Sequence, residues 1–597
     1  MGSPFLSKSR FIKGLQCHKA LWLTTHRPEL KTEVSEQQQA VFDSGHEVGK
    51  WAQKLFPGGM EVPFDGYKLS EQVALTKKLI KDGVKTIYEA VFSHDNVFVQ
   101  ADILHRGKNG WTLGEVKSGT SFKDVYLDDM AIQFHVISSS GLNLTKAMLL
   151  LIDTEYVREG EIEPDKLFKF ADLTEDVLEA QERILEELEH EQGMLVGPEP
   201  AIDIGLHCHD PYDCDFMGHC WAHIPEKGSV FEFAGLGRKG CFALYEQGYL
   251  RMEDVPLPML RHKQRQQVEC LNKQEPVVDQ AALKEFLDGL VWPLAFLDFE
   301  TTFMTPIPLF DGTSPYQAVP FQFSLHVQDE QDGELRHLEF LFEDGNDPRP
   351  DFIEALLSSV PTQGSVIVWN QGFESGIIKK LSEAFPEASE ALLGLRERLV
   401  DLMVPFRQRS FYRGAMNGSY SIKAVLPALV PECSYKTLEI QAGDVAASTW
   451  LEMTRTDDQA RKAHLRDSLL KYCELDTLAM VKILEKVREA VETPIRTVET
   501  IANKKLIEEF TKAELTPDEV KIRVLTISWE GPHTPKSQWE TVATLPLGTD
   551  GMAERKGLIL NTNYFQVCTE CKERNPIGWM HGEVCQRCAE SNNGIAY

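Results

Sequence analysis

The sequence predicts a multi-domain α/β protein. Three observations lead there. At 597 residues the chain is too long for one hydrophobic core. Its later half alternates short apolar runs ("PLAFLDFET", "FQFSLHVQ", "HLEFLF", "SVIVWN") with helix-length segments, an α/β rhythm. Its twelve cysteines are unevenly spread, with one cluster near residue 210 and another at the far end, which marks further compact pieces.

Composition narrows the class. Hydrophobic content of 42% and charged content of 26% fit a soluble globular protein. The longest apolar runs, "AMLLLI" and "LVWPLAFL", are too short to span a bilayer, so no membrane association is expected. The opening "MGSPFLSKSRFIKG" has no apolar signal core, and Leu6 stands where N-myristoylation requires Ser or Thr. A cytoplasmic location is therefore the expectation. The net charge of −29 argues against a surface that is basic throughout, while leaving room for a local groove for nucleic acid. Much of the acidity is solvated helix, as in "EDVLEAQERILEELEHEQ". Without a secretory signal, clustered cysteines point to metal rather than disulfides. The G-x-x-x-x-G-K-[ST] phosphate loop is missing, which excludes a motor of that kind.

Residues 1–225 mix helix and strand. In "NVFVQADILHRGKNGWTLGEVKSGTS" two strand-like segments flank "RGKNG", a hairpin signal. The first carries Asp102; the second carries Glu115 and Lys117 two apart, on one face. Two acids can hold a Mg²⁺ with its water, and a lysine beside them can polarise that water or steady charge developing on a phosphate. This pattern resembles the PD-(D/E)xK nuclease superfamily. Gln133 in "DDMAIQFHVISSSG" looks like the helical glutamine of its RecB-like branch, and His46 and Glu89 match that branch's early His and acid. Cys17 precedes this core, and Cys208, Cys214 and Cys220 follow it with C-x5-C-x5-C spacing. That bracketing is similar to RecB-like nucleases with an iron–sulfur staple, of the AddB and CRISPR-associated RecB-like exonuclease type. The resemblance implies a [4Fe–4S] cluster on the four thiolates; a four-thiolate zinc site is the alternative.

Residues 226–290, with "LRHKQRQQVECLNKQ", read as a helical connector. Residues 291–490 hold a second acidic constellation. Asp298 and Glu300 are two apart on an apolar strand and so share a face. Asn370 and Glu374 sit at a strand-to-helix turn in "VIVWNQGFESGIIKKL". Tyr472 and Asp476 are four apart on a helix, on one face. Four acids brought together would repel unless divalent cations neutralise them, and two Mg²⁺ or Mn²⁺ would do so and activate a water. The set resembles the DnaQ-like, or DEDD, 3′–5′ exonucleases of the RNase H-like fold. Asp298 and Glu300 match their D-x-E, "NQGFE" their N-x-x-F-D, and "YCELD" their Y-x-x-x-D. Glu374 departs from the family's Asp, which puts rate and metal preference in question. Asp401, in "VDLMVPFR", is read as structural rather than as a ligand.

Residues 491–597 form a strand-rich tail. It ends in C-x2-C, thirteen residues, C-x2-C (Cys568, Cys571, Cys585, Cys588), the spacing of a zinc-ribbon-type Zn²⁺ site. The resemblances imply a metal-dependent phosphodiester hydrolase with DNA as the favoured substrate, RNA remaining open, and the missing motor motif leaves room for a separate helicase partner. The alternative is a nucleic-acid-binding subunit of a repair or defence assembly with one or both sites silent.

Overall fold

The structure is a computed structural model. It describes residues 5–33, 36–63, 68–271, 273, 276–302 and 305–493, and beyond these only the backbone of short strands between 519 and 585. The chain divides into two compact units, Met1–Glu492 and Thr493–Tyr597, and is mixed α/β. None of the described helices is long and apolar enough to cross a membrane.

In the first unit, seven described strands build one sheet: β1 (Leu6–Ser7), β2 (Met60–Glu61), β3 (Thr86–His94), β4 (Val97–Arg106), β5 (Trp111–Lys117), β6 (Leu144–Ile152) and β7 (Phe168–Asp172). The order is β2-β3-β4-β5-β6-β7, with β1 alongside β4. β4 and β5 are the hairpin expected around "RGKNG". β5 and β6 are parallel, so the chain must cross over between them, and the helix Asp124–Ser139 makes that connection. This helix packs between the sheet and the helices Lys8–Gln16 and Gln181–Leu195, which buries it almost all round. Asp129 and Gln133, one turn apart on it, are therefore buried polar groups that need partners.

After the short strand β8 (Val277–Val278), five strands form the second sheet: β9 (Leu294–Thr301), β10 (Pro320–Gln328), β11 (Leu335–Leu341), β12 (Ser365–Val368) and β13 (Leu399–Asp401). The order is β11-β10-β9-β12-β13, antiparallel through β9 and parallel from β9 to β13. β14 (Phe411–Tyr412) pairs with β8. β9 is buried on both faces, which is why it reads as an unbroken apolar run. Leu294 and Phe296 join the core with the long helix Gln459–Glu492; Ala295, Leu297 and Phe299 join the core on the other side. Period two then puts Asp298 and Glu300 on the face toward Gln459–Glu492. That helix buries Leu469, Tyr472, Asp476, Met480 and Ile483, the three-and-four spacing of one face.

The segment between β9 and β10 leaves the second sheet and lies on the first. Arg158 Nη1 donates to the carbonyls of Pro308 (3.2 Å) and Leu309 (2.7 Å), Gly160 N–H donates to Asp311 Oδ1 (2.9 Å), and Tyr316 OH donates to Ser118 O. Ile307 is buried among residues that include Val48, Ala52 and Phe168.

In the second unit, Glu519–Trp529 pairs antiparallel with Pro535–Pro546, and three shorter antiparallel pairs follow. Of the four cysteines expected to form a zinc ribbon, Cys568, Cys571 and Cys588 lie outside the described residues, and Cys585 is described only as backbone of the strand Val584–Cys585.

Candidate functional site

The second sheet carries a cluster of largely buried acids. β9 supplies Asp298 and Glu300 and the helix Gln459–Glu492 supplies Tyr472 and Asp476; all four line one cleft, together with Lys423 and Phe373. Burial first, then the charges of Asp476, Glu300 and Glu374, push the Asp298 carboxyl well above the carboxylate range. Glu300 is raised by burial and by Asp476. Asp476 is raised by burial to about 6, held from going higher by Tyr435 and Lys423. The Tyr435 hydroxyl donates to Asp476 Oδ1 at 2.5 Å. Lys423 stands over the rings of Tyr435 (5.8 Å) and Tyr472 (5.7 Å). Carboxyls pushed upward by one another mark a site short of positive charge.

Glu374 is set differently. Asn370 adopts a left-handed conformation (φ 76°), which asparagine tolerates, and turns the chain from β12 into the helix Gln371–Ala384. Glu374, in the first turn, is 1% exposed and is not among the residues lining the cleft. Its Oε2 is buried with no hydrogen-bond partner among the described residues. Burial and Asp401 raise its pKa to about 8. Asp401 itself accepts from the backbone N–H groups of Asn370 (3.1 Å) and Met403 (3.0 Å), holding the turn in place.

Tyr435 and Lys423 do not stand out in the sequence, and Cys473 reads there only as a buried or incidental thiol. Cys473 is fully buried, its Sγ 3.9 Å from Asp298 Oδ2, and it groups with Asp298 and Glu300 closely enough for all three to meet one ion. Its adjacency to Tyr472 was the available signal. Lys423 and Tyr435 come from segments with no spacing relation to the acids.

The first sheet gathers Asp102, Glu115, Lys117 and Gln133. Lys117 Nζ lies 2.6 Å from Glu115 Oε1 and 2.5 Å from Asp129 Oδ2. Lys8 Nζ lies 3.1 Å from Glu115 Oε1 and 3.2 Å from Asp129 Oδ1. Gln133 Nε2 donates to Glu115 Oε2 at 2.6 Å. Burial alone would raise Glu115; Lys117 and Lys8, with Gln133, outweigh it and hold the carboxyl well below the usual range. Asp102 accepts from Val116 N–H at 2.7 Å, yet burial and Glu115 push it up to about 8. Asp102, His46, Glu89, Gln100 and Glu61 line one cleft. Glu89 has φ 54°, an unusual backbone for a non-glycine residue, and its pKa rises to about 7 through burial and Glu61. Lys8 and Asp129 were not singled out from the sequence. Asp129 could have been, since it lies one helical turn from Gln133.

Cys17, Cys208, Cys214 and Cys220 line one small cavity, as free thiols. Cys17 sits in extended conformation at the break between the helices Lys8–Gln16 and His18–His26. Backbone N–H groups of Lys19 and Ala20 point at its sulfur, and that of Phe216 at the sulfur of Cys214. Burial pushes the thiol of Cys214 up to about 11 and raises Cys17 and Cys220. Trp221 also lines the cavity, and its indole N–H is buried without a partner among the described residues. Four converging sulfurs, N–H donors aimed at them and one unpaired donor fit a metal–thiolate centre.

Residues 295–421 match the family model described as a domain of unknown function, DUF2779. The matched stretch holds Asp298, Glu300, Glu374 and Asp401, and stops short of Tyr472 and Asp476. No curated protein matches the chain.

Proposed function

We propose that the chain is a metal-dependent nuclease whose second sheet is an RNase H-like, DEDD-type 3′–5′ exonuclease module and whose first is a PD-(D/E)xK module of the RecB-like type. DNA is the favoured substrate. The observation that carries this reading is the convergence of Asp298, Glu300 and Asp476, with Tyr472, on one cleft, where Asp476 raises both Asp298 and Glu300. Two Mg²⁺ or Mn²⁺ ions, when bound there, supply the missing positive charge and an ionised water. Asp298, Glu300 and Asp476 would hold them, with Glu374 acting on Asp298 from behind the cleft wall. Tyr472 and Lys423 line the same cleft, where Tyr472 would orient the water against the scissile phosphodiester and Lys423 would balance charge on the phosphoryl oxygens. Cys17, Cys208, Cys214 and Cys220 would hold a [4Fe–4S] cluster that ties the amino-terminal helices to the segment after the first sheet. Cys568, Cys571, Cys585 and Cys588 would hold Zn²⁺.

For the first module a specific observation favours a second reading. Lys8, Glu115, Lys117 and Asp129 form a network that is charge-balanced without a metal. This supports a nucleic-acid clamp in which hydrolysis belongs to the second module alone. A separate helicase would then feed it single strands.

The test uses anaerobically purified full-length protein, single-stranded DNA labelled at either end, and Mg²⁺ or Mn²⁺. Loss of 3′ trimming in Asp298→Ala, with Lys117→Ala still active, is the outcome expected of the DEDD module. Loss only in Lys117→Ala would move the chemistry to the first module. An inactive wild type, on DNA and on RNA, would overturn the hydrolytic reading in favour of a binding subunit.

A further inference from the structure

The residues beside Lys117 form a ladder in which cations and aromatic rings alternate. Lys117 Nζ lies 5.5 Å from the centre of the Tyr126 ring. Lys123 Nζ stands 6.0 Å from the centre of the same ring and 5.9 Å from that of Tyr212. Tyr126 is buried, whereas Tyr212 is 50% exposed and Phe122, the chain neighbour of Lys123, is 45% exposed. The ladder therefore runs from the half-buried Lys117 at the candidate site out to the half-exposed Tyr212, with the half-exposed Phe122 next to Lys123 in the chain.

Tyr212 belongs to the loop between Cys208 and Cys214. That loop is fixed from below: the Gln16 amide donates to the carbonyls of His207 (2.8 Å) and Tyr212 (2.7 Å), and Cys214 N–H donates to Cys208 O (2.8 Å). The backbone under Tyr212 is thus held while its ring is offered outward. Ser118–Lys123, which carries Phe122, is anchored at its start by the Tyr316 hydroxyl on Ser118 O.

Exposed rings on anchored backbone, with lysines between them, match the repeat of a single strand, in which bases alternate with phosphates. A duplex hides its base faces and would gain nothing from the rings. A protein partner would not call for lysines spaced through the aromatic set and leading inward to Lys117. Resting on the reading of this module as a nucleic-acid site, we propose that Tyr212 and Phe122 are a base-stacking station for single-stranded nucleic acid, with Lys123 as its phosphate partner, delivering the strand toward Lys117. The cysteine loop would then build part of the substrate path as well as closing the fold.

The experiment is fluorescence anisotropy with labelled oligo(dT) and with a labelled duplex. It uses anaerobic full-length protein, with Ca²⁺ in place of the hydrolytic metal and the visible absorbance of the metal–thiolate centre recorded on each sample. Tyr212→Ala is expected to weaken oligo(dT) binding roughly tenfold, the usual worth of one stacked base. Phe122→Ala should weaken it in the same direction, Tyr212→Phe should bind within about twofold of wild type because the ring remains, and duplex binding should hardly move. Equal oligo(dT) affinity in wild type, Tyr212→Ala and Phe122→Ala would overturn the station while leaving the nuclease reading in place. So would a loss in Tyr212→Ala that accompanies lost visible absorbance while Phe122→Ala binds normally, because Tyr212 would then serve the fold of the loop. A wild type that binds no single strand would overturn the underlying reading itself.

Discussion

Single side chains decide much of the behaviour expected of this protein. Glu191 is fully buried on the helix Gln181–Leu195, and neither carboxyl oxygen has a hydrogen-bond partner among the described residues. Burial, then the charge of Glu187, raises its pKa from 4.5 to about 9. In the unfolded chain it ionises near 4.5, so the folded state binds the extra proton between those values. Stability contributed by this group is complete below pH 4.5 and is lost as pH rises toward 9. At pH 7 the loss is of order 3 kcal/mol. Glu191→Gln keeps the shape and removes the titration. Its urea midpoint should exceed that of wild type at pH 7 to 8, and the gap should close toward pH 5. A gap that does not change with pH would show that Glu191 is not buried as a neutral acid. Tyr435 is a second case. Its 2.5 Å hydrogen bond to Asp476 is buried, and such bonds to charged groups contribute about 1.5–3 kcal/mol. Under the proposed function, Tyr435→Phe should raise the Mn²⁺ concentration for half-maximal 3′ trimming by roughly tenfold or more. An unchanged metal requirement would separate Tyr435 from the chemistry.

At the scale of elements, the site depends on how closely β12 runs beside β9. Gly364 makes the approach with φ 86°, and a Cβ there would fall 2.0 Å from Pro293 O. Gly364→Ala should therefore destabilise the first unit by several kcal/mol, about the size of combined strain and overpacking, and, under the proposed function, depress 3′ trimming through misplacement of Asp298. Urea unfolding followed by tryptophan fluorescence would read this, and a wild-type midpoint would show that the turn relaxes freely. Element-scale pattern is also what made the site legible. Asp298 with Glu300, and Tyr472 with Asp476, lie inside single strands and helices, where periods of two and of 3.6 put them on one face before any fold is known. The hairpin bearing Asp102, Glu115 and Lys117 was legible from its turn residues in the same way. Lys8 and Glu115 are 107 positions apart, and Tyr435 and Asp476 are 41 apart, so their meeting depends on how elements pack. No local period carries that information. The depth of Glu374 was equally hidden, because "NQGFE" fixes where the helix starts and not how far its first turn sinks.

The whole first unit is tied together by the segment between β9 and β10, which in sequence reads only as a loop, "TPIPLFDGTSPYQ". It leaves the strand that carries Asp298 and Glu300 and ends beside the strand that carries Glu115 and Lys117, where Tyr316 reaches Ser118. The features that hold it include the Arg158 guanidinium on the carbonyls of Pro308 and Leu309, the Gly160 N–H on Asp311, the buried Ile307, and that Tyr316 hydroxyl. Removing Arg158 leaves two partly buried carbonyls without their donor, and truncating Ile307 opens a cavity in a small apolar cluster; each costs about 1–4 kcal/mol. Both losses fall where the segment lies on the first sheet: Ile307 packs there with Val48, Ala52 and Phe168, and neither Ile307 nor Arg158 belongs to the core around the second sheet. Cooperative unfolding of residues 1–492 should therefore depend on the strap. In scanning calorimetry wild type should melt that unit in one principal transition, and Arg158→Ala combined with Ile307→Ala should split it into two. Under the proposed function, the earlier should belong to the first sheet if the [4Fe–4S] cluster proposed at Cys17, Cys208, Cys214 and Cys220 is lost first, which falling visible absorbance on heating would identify. Two transitions already present in wild type, or a single one surviving in the double variant, would mean that the strap rests on the first sheet without coupling its stability to the second.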